Sequence, residues 1–179
     1  CRWWQAQLDT AGPSSSRVAA ADDTASLLAI AHAADPRNEN TLSWLVRARN
    51  LQAQLALARG DLAVARTNLS AARALLEPAW QALQTETLRL WLAKTRLLEG
   101  EAAQLGRNTA EASAAWTEAR QVLLADAMTP LPFARLDPLV RALQHLGLTA
   151  EAAPHRQRLE DAGYVPLHPW PVAPAVAAR

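Results

Sequence analysis

One phrase recurs three times in this chain, and it constrains the fold more than any other feature. From Leu98 to Ala119 an apolar helical pattern stops at Leu105, and Gly106 suits the left-handed conformation that closes a helix. Asn108 or Thr109 can then cap a second helix, on which Ala112, Trp116 and Ala119 follow at offsets of four and three. Small residues on that face let two helices approach closely while one large ring fills the gap, so the stretch predicts a helix-turn-helix unit. The phrase returns as Ala58-Arg-Gly-Asp-Leu-Ala-Val-Ala65 with Leu69 and Ala72, and as Leu146-Gly-Leu-Thr-Ala-Glu-Ala152 with Leu159. Three copies predict repeated helical hairpins.

The remaining pattern fits around them. Residues 2–9 read as a short helix stopped by Gly12-Pro13, and Ser14, Ser15 and Ser16 offer caps for a longer one that carries Val18, Leu27, Leu28 and Ile30 up to Ala34. Asp35-Pro36 ends it. Leu42, Leu45, Val46, Leu51, Leu55 and Ala58 mark a helix from Thr41 to Arg59, and Leu62, Ala65, Leu69, Ala72 and Leu76 mark its partner to about Glu77. Pro78 is expected to break that partner, because proline lacks a backbone donor and clashes with the preceding turn; 79–85 then form an irregular link. Leu88, Trp91, Leu92, Thr95, Leu98 and Ala102 begin the next pair, with 109–125 as its second helix. After the breaker Met128-Thr-Pro-Leu-Pro132, 134–146 and 149–162 form the last pair. Pro166, Pro169, Pro171 and Pro174 make an extended tail.

The expected organisation is therefore N-terminal helices with an incomplete repeat over 1–39, three helix pairs at 40–77, 84–126 and 133–163, and a proline-rich tail over 164–179. The fold class is all-α: stacked antiparallel hairpins in an irregular α-solenoid with long links.

Composition narrows the function classes. The 18 basic and 17 acidic residues leave a net charge of +1, so no excess charge draws the chain to nucleic acid or to an anionic membrane surface. Lys94 is the only lysine; a genomic codon preference and selection for forked carboxylate recognition both account for that bias. Cys1 is the one cysteine, which excludes an internal disulfide and a thiolate zinc site. No run approaches the roughly 18 apolar residues of a membrane span, and the start has neither the basic region nor the apolar core of a secretory signal. Three readings of that start remain open. Cys1 is a fragment boundary, or the lipidated first residue of a lipoprotein, or Arg2-Trp3-Trp4 forms an interfacial belt after a membrane tether N-terminal to residue 1.

Catalytic and metal chemistry find little support. His32, His145, His155 and His168 fall on different elements, and His145 with His155 lacks a third ligand. Glu99 and Glu101 diverge around a helix, as do Asp22 and Asp23, and Ser14 to Ser16 have no base in reach. The expectation is no enzyme, no metal and no cofactor. Trp44, Trp91 and Trp116 sit in apolar patterns and are expected in the core, while Trp80 and Trp170 are expected to anchor the link and the tail.

Gly60, Ala65, Leu69 and Ala72 resemble the tetratricopeptide repeat: a glycine or small residue in the turn, alanine five positions on, a large apolar residue four further, and alanine three further again. Gly106, Ala112, Trp116 and Ala119 match it with one extra turn residue, and Gly147 with Ala152 matches in part, Arg156 and Leu159 standing where the aromatic and the alanine belong. The turn glycines recur more widely than the roughly 34 residues of an ideal repeat. The resemblance covers about 40–163 and implies a tetratricopeptide-like solenoid whose first helices line a concave groove for a protein or peptide ligand. Counting back thirteen, ten, nine, six and three positions from each turn glycine, it implies groove positions that include Arg47, Asn50 and Gln54, then Arg96, then Asp137, Arg141 and Gln144. Guanidinium groups supply forked donors for carboxylates and amides pair with main chain.

A second resemblance rests on Ala34-Asp-Pro-Arg-Asn38, Leu75-Leu-Glu-Pro78 and the segment from Gly147 to Tyr164, which look like the repeat region after the membrane helix of some bacterial serine/threonine protein kinases. No glycine-rich nucleotide loop or His-Arg-Asp segment of a kinase is present. That likeness implies a sensor region on the periplasmic side of the inner membrane, with a cytoplasmic location as the alternative. The rival reading is a structural adaptor or envelope lipoprotein, including a homo-oligomer built through Trp3, Trp4 or Trp170.

Overall fold

A computed structural model describes residues 15–126 and 130–171. The described chain is all-helical, with seven helices and no strand among the described residues: α1 Ser15–Ala34, α2 Glu39–Ala58, α3 Leu62–Leu83, α4 Glu86–Leu105, α5 Thr109–Leu124, α6 Phe133–His145 and α7 Thr149–Asp161. The helix expected over 2–9, the residues Cys1, Trp3, Trp4 and Met128, and the end of the tail from 172 lie outside the described residues. No described helix is long and apolar enough to cross a membrane.

Three helix starts are set by short polar side chains. Asn38 accepts from the Thr41 N–H, Asp61 from Val64 and Asn108 from Glu111, each filling one of the orphan donors of a first turn. Asn108 also donates through Nδ2 to Glu111, closing a reciprocal cap. The ends of α2, α4 and α6 share one geometry. The N–H groups of Asp61, Asn108 and Leu148 reach back to the carbonyls of Ala56, Ala103 and Leu143, while those of Gly60, Arg107 and Gly147 bond Leu57, Gln104 and Gln144. The left-handed residue of the middle turn is thus Arg107, at φ 60°, beside Gly60 at 76° and Gly147 at 75°. Gly106 instead keeps a helical bond from its N–H to Ala102.

This corrects the register expected from the glycines. Counted from Arg107, Ala112, Trp116 and Ala119 stand at the same offsets as Ala65, Leu69 and Ala72 from Gly60, with no extra turn residue. All six are buried. An L-residue held left-handed costs about 1–2 kcal/mol. Arg107→Gly is therefore expected to stabilise the chain by about 1 kcal/mol after the greater chain entropy of glycine is set against the relieved strain, read as a higher urea midpoint at unchanged slope. An unchanged or lower midpoint would show that the Arg107 side chain offsets its own strain.

The expected break at Pro78 does not occur; α3 runs through it to Leu83. Pro78 and Ala74 both face solvent, so the carbonyl that loses its helical donor can be hydrated, while Leu76 is fully buried on the other side. Beyond it the Trp80 ring lies 4.9 Å beneath the guanidinium of Arg89 on α4. The helix stops at Gln84, left-handed at φ 46°, and Thr85 caps α4 by accepting from the Leu88 N–H while its hydroxyl donates to Glu39.

The chain forms two compact units that divide within α4, between Trp91 and Leu92. In the first, α1 packs on α2 and α2 on α3. Ala21 of α1 lies against Leu51 and Leu55, with Val18 at the margin. A polar ladder crosses the three helices, Gln52 donating to Asp22 at 2.6 Å and Arg49 to both Gln52 and Asn68 at 3.2 Å.

In the second unit, one cluster gathers Leu97, Ala103, Ala112, Trp116, Ala119 and Ala142, and another gathers Leu136, Val140 and Leu159 with Leu131, Tyr164 and Trp170 packed against them. The Trp116 indole donates to the Leu97 carbonyl at 3.3 Å and stacks on His145 at 4.2 Å between ring centroids. The link into α6 is tied by its carbonyls: Arg135 donates to Leu123 and Ala125, and Arg158 to Leu131.

Candidate partner-binding faces

In the first unit the stripe of α2 named from the sequence separates by depth. Asn50 is buried, Gln54 is exposed, and Arg47 lies between those extremes. Arg47 is the centre of an aromatic cluster, its guanidinium 5.0 Å from the Trp44 ring, one turn earlier on α2, and 5.9 Å from the Trp91 ring on α4. A cation over two indole faces is attracted by the ring electrostatics. Partial burial lowers the Arg47 pKa from its ordinary value.

Trp44, expected in the core, is 46% exposed, and Trp91 is half-buried. The reason is rotational. Leu42, Leu45, Val46 and Ala48 already fill the buried side of α2, and Trp44 falls on the opposite side with Arg47. The signal available in the sequence was the three-residue spacing of Trp44 and Arg47, which places them on one face. The polar ladder of the same unit borders a recess of about 210 Å³ lined by Val18, Asp22, Leu55, Arg59 and Val64. That is below the roughly 300 Å³ at which small-molecule sites begin, and its Asp22, Gln52 and Asn68 already bond one another or Arg49.

In the second unit the three named groups have different fates. Arg96 is engaged inside its own hairpin, 2.8 Å from Glu99 and 2.9 Å from Glu118 of α5. Its assignment to the groove came from counting back from Gly106. Counting from Arg107 moves the ten-back position from Arg96 to Leu97, which is buried, and the thirteen-back position from Ala93 to Lys94, which is exposed, so Arg96 stands one residue, about 100° around α4, off the counted stripe. Gln144 is buried, and its Oε1 has no hydrogen-bond partner.

Arg141 stays partly exposed and pairs with Asp137 one turn earlier, Nε to Oδ2 at 3.1 Å. The same pair meets the tail: Arg141 donates to the carbonyls of His168 and Pro169, and the Trp170 indole donates to Asp137. Trp170 thus anchors the tail, but at a side-chain pair that the sequence reading assigned to a ligand. Tyr164 also hydrogen-bonds Asp137, and burial first, then the Asp137 charge, raises its pKa above the usual phenol value.

The histidines do not converge. His145 lies on Trp116 with Nε2 3.6 Å from Glu101, and burial, followed by the Arg158 charge, lowers the pKa of His155. Among the described residues no three side chains of the kinds that bind metal are grouped. The sequence-named residues therefore form separate faces: Arg47 with Trp44 and Trp91 in one unit, and Arg141 with Asp137 in the other. Compared with protein-family models, curated proteins and solved structures, the chain matches none.

Proposed function

We propose that this chain is a non-catalytic, tetratricopeptide-like module that binds protein or peptide through the polar and aromatic faces of its first helices. The observation that carries this reading is the Trp44–Arg47–Trp91 cluster. A large indole left 46% exposed beside a ring-held guanidinium contributes little to the core, yet Trp and Arg are the side chains that dominate protein interfaces. The likeness of the Ala34-Asp-Pro and Leu75-Leu-Glu-Pro phrases to kinase repeat regions supports its being the periplasmic sensor region of a membrane-anchored bacterial signalling protein such as a serine/threonine kinase. Leu27 and Ile30, both more than two-thirds exposed on α1, favour a second reading, an adaptor that assembles through that helix.

Trp44→Ala and Arg47→Ala are each expected to leave the helical melt nearly unchanged and to weaken a captured envelope partner at least about tenfold, as interface anchors do. Immobilised wild-type and variant chains compared on one cell-envelope extract supply the measurement, with Leu27→Ser/Ile30→Ser alongside. Loss of capture only in the Leu27/Ile30 variant would replace the first reading with the adaptor.

A further inference from the structure

The tail leaves α7 through left-handed Gly163, packs Tyr164 on the Leu136 cluster, and is held again at 168–170. Between those points Val165 and Leu167 stand 81% and 88% exposed, so this segment does not bury its own apolar side chains. The pinning is specific. Arg141 Nη2 donates to the His168 carbonyl at 2.7 Å and Nη1 to that of Pro169 at 3.4 Å, while Trp170 Nε1 donates to Asp137 Oδ1 at 2.9 Å and its ring packs on the Leu136 cluster.

Pro169 and Pro171 flank that ring, restrict the backbone to extended forms and have no N–H to offer. The groups of this segment that are engaged are the His168 and Pro169 carbonyls and the Trp170 indole donor. Arg141 supplies only donors and Asp137 only acceptors, matching that demand group for group. The Asp137–Arg141 ion pair, one turn apart on α6, holds the two side chains together.

We propose that Asp137 and Arg141 form a recognition site for an extended, proline-flanked tryptophan segment, which residues 168–171 of the same chain occupy in cis and which a segment of that chemistry on another polypeptide enters when the tail is released. This rests on the peptide-binding reading above and names the ligand class for its second face. The tail is then a tethered competitor, present at an effective concentration on the order of millimolar.

The probe is a labelled synthetic peptide, Val-Pro-Leu-His-Pro-Trp-Pro, copying residues 165–171, titrated by fluorescence polarisation into full chains. Trp170→Ala, which loosens the tail, is expected to bind it at least about tenfold more tightly than the wild type. Adding Arg141→Ala should remove that binding, and a peptide with alanine for tryptophan should not bind. Should Trp170→Ala melt early, Trp170→Phe keeps the ring and deletes only the donor to Asp137, and is expected to give a smaller gain of the same sign. No binding to either well-folded Trp170 variant, or equal binding to wild type and variants regardless of Arg141, overturns the proposal. Failure here with partner capture still dependent on Trp44 and Arg47 removes only the α6 site, whereas peptide binding with capture independent of those residues removes only the first-unit face.

Discussion

Gly100→Ala is expected to destabilise the chain by about 2–3 kcal/mol, although the same change in an open helix interior stabilises by about 1 kcal/mol. Gly100 is buried within α4, and a Cβ built there would lie 2.1 Å from Nε1 of Trp116 and 2.5 Å from its Cδ1. The ring has little room to retreat: its N–H bonds the Leu97 carbonyl, it stacks on His145, and Ala103, Ala112 and Ala142 share its cluster. Moving it forfeits the hydrogen bond and opens a void, and both effects exceed the gain in helix propensity. Urea unfolding checks the sign. Trp116→Leu alone should also destabilise, and combining it with Gly100→Ala should cost less than the sum, because the leucine has no ring over residue 100. A midpoint that rises on Gly100→Ala would mean that the close approach of α4 and α5 does not depend on this glycine.

The second large effect is expected at Arg135, which is 6% exposed at the start of α6. Its Nη1 donates to the carbonyls of Leu123 and Ala125, in the last turn and at the cap of α5, where no helical donors remain. Arg135→Met keeps the apolar stem and deletes the donors, and should cost about 2–3 kcal/mol as the buried Leu123 carbonyl loses its partner. Arg135→Lys retains a charge without the planar fork and should recover only part of that loss. Hydrogen exchange adds a local reading: amides around the α5–α6 link should lose protection in Arg135→Met before those of α2 and α3. Uniform loss of protection through both units would instead make Arg135 part of the global core. The corresponding tie at the far end of the link, Arg158 to Leu131, is partly exposed and is expected to matter less.

The faces proposed to bind partners were visible in the sequence to unequal degrees. Arg47 and Arg141 were placed by counting from Gly60 and Gly147, and there the count began from residues that do take the left-handed turn position. Arg96 was assigned to the concave groove by counting from Gly106, one residue short of the left-handed Arg107, and its side chain instead pairs with Glu118. Trp44 was read as core because its neighbours are apolar, yet a helix that already has a complete buried stripe presents the next large residue to solvent. The contact between Asp137 and Trp170 joins positions far apart in the chain and follows no period, so no local pattern announces it.

By itself the sequence determined the local grammar of this protein: the caps Asn38, Asp61 and Asn108, the alanines at the close approaches, and helical hairpins throughout. These depend on interactions within a turn or two of one helix, where spacing alone decides what meets. Tertiary structure decided the rest. Whether Pro78 ends a helix depended on which side faced water and on Arg89 covering Trp80. Which residue of Gly106-Arg107 went left-handed was settled by the packing register of Ala112 and Trp116, since burial of a full hairpin face exceeds the roughly 1–2 kcal/mol of strain at one L-residue.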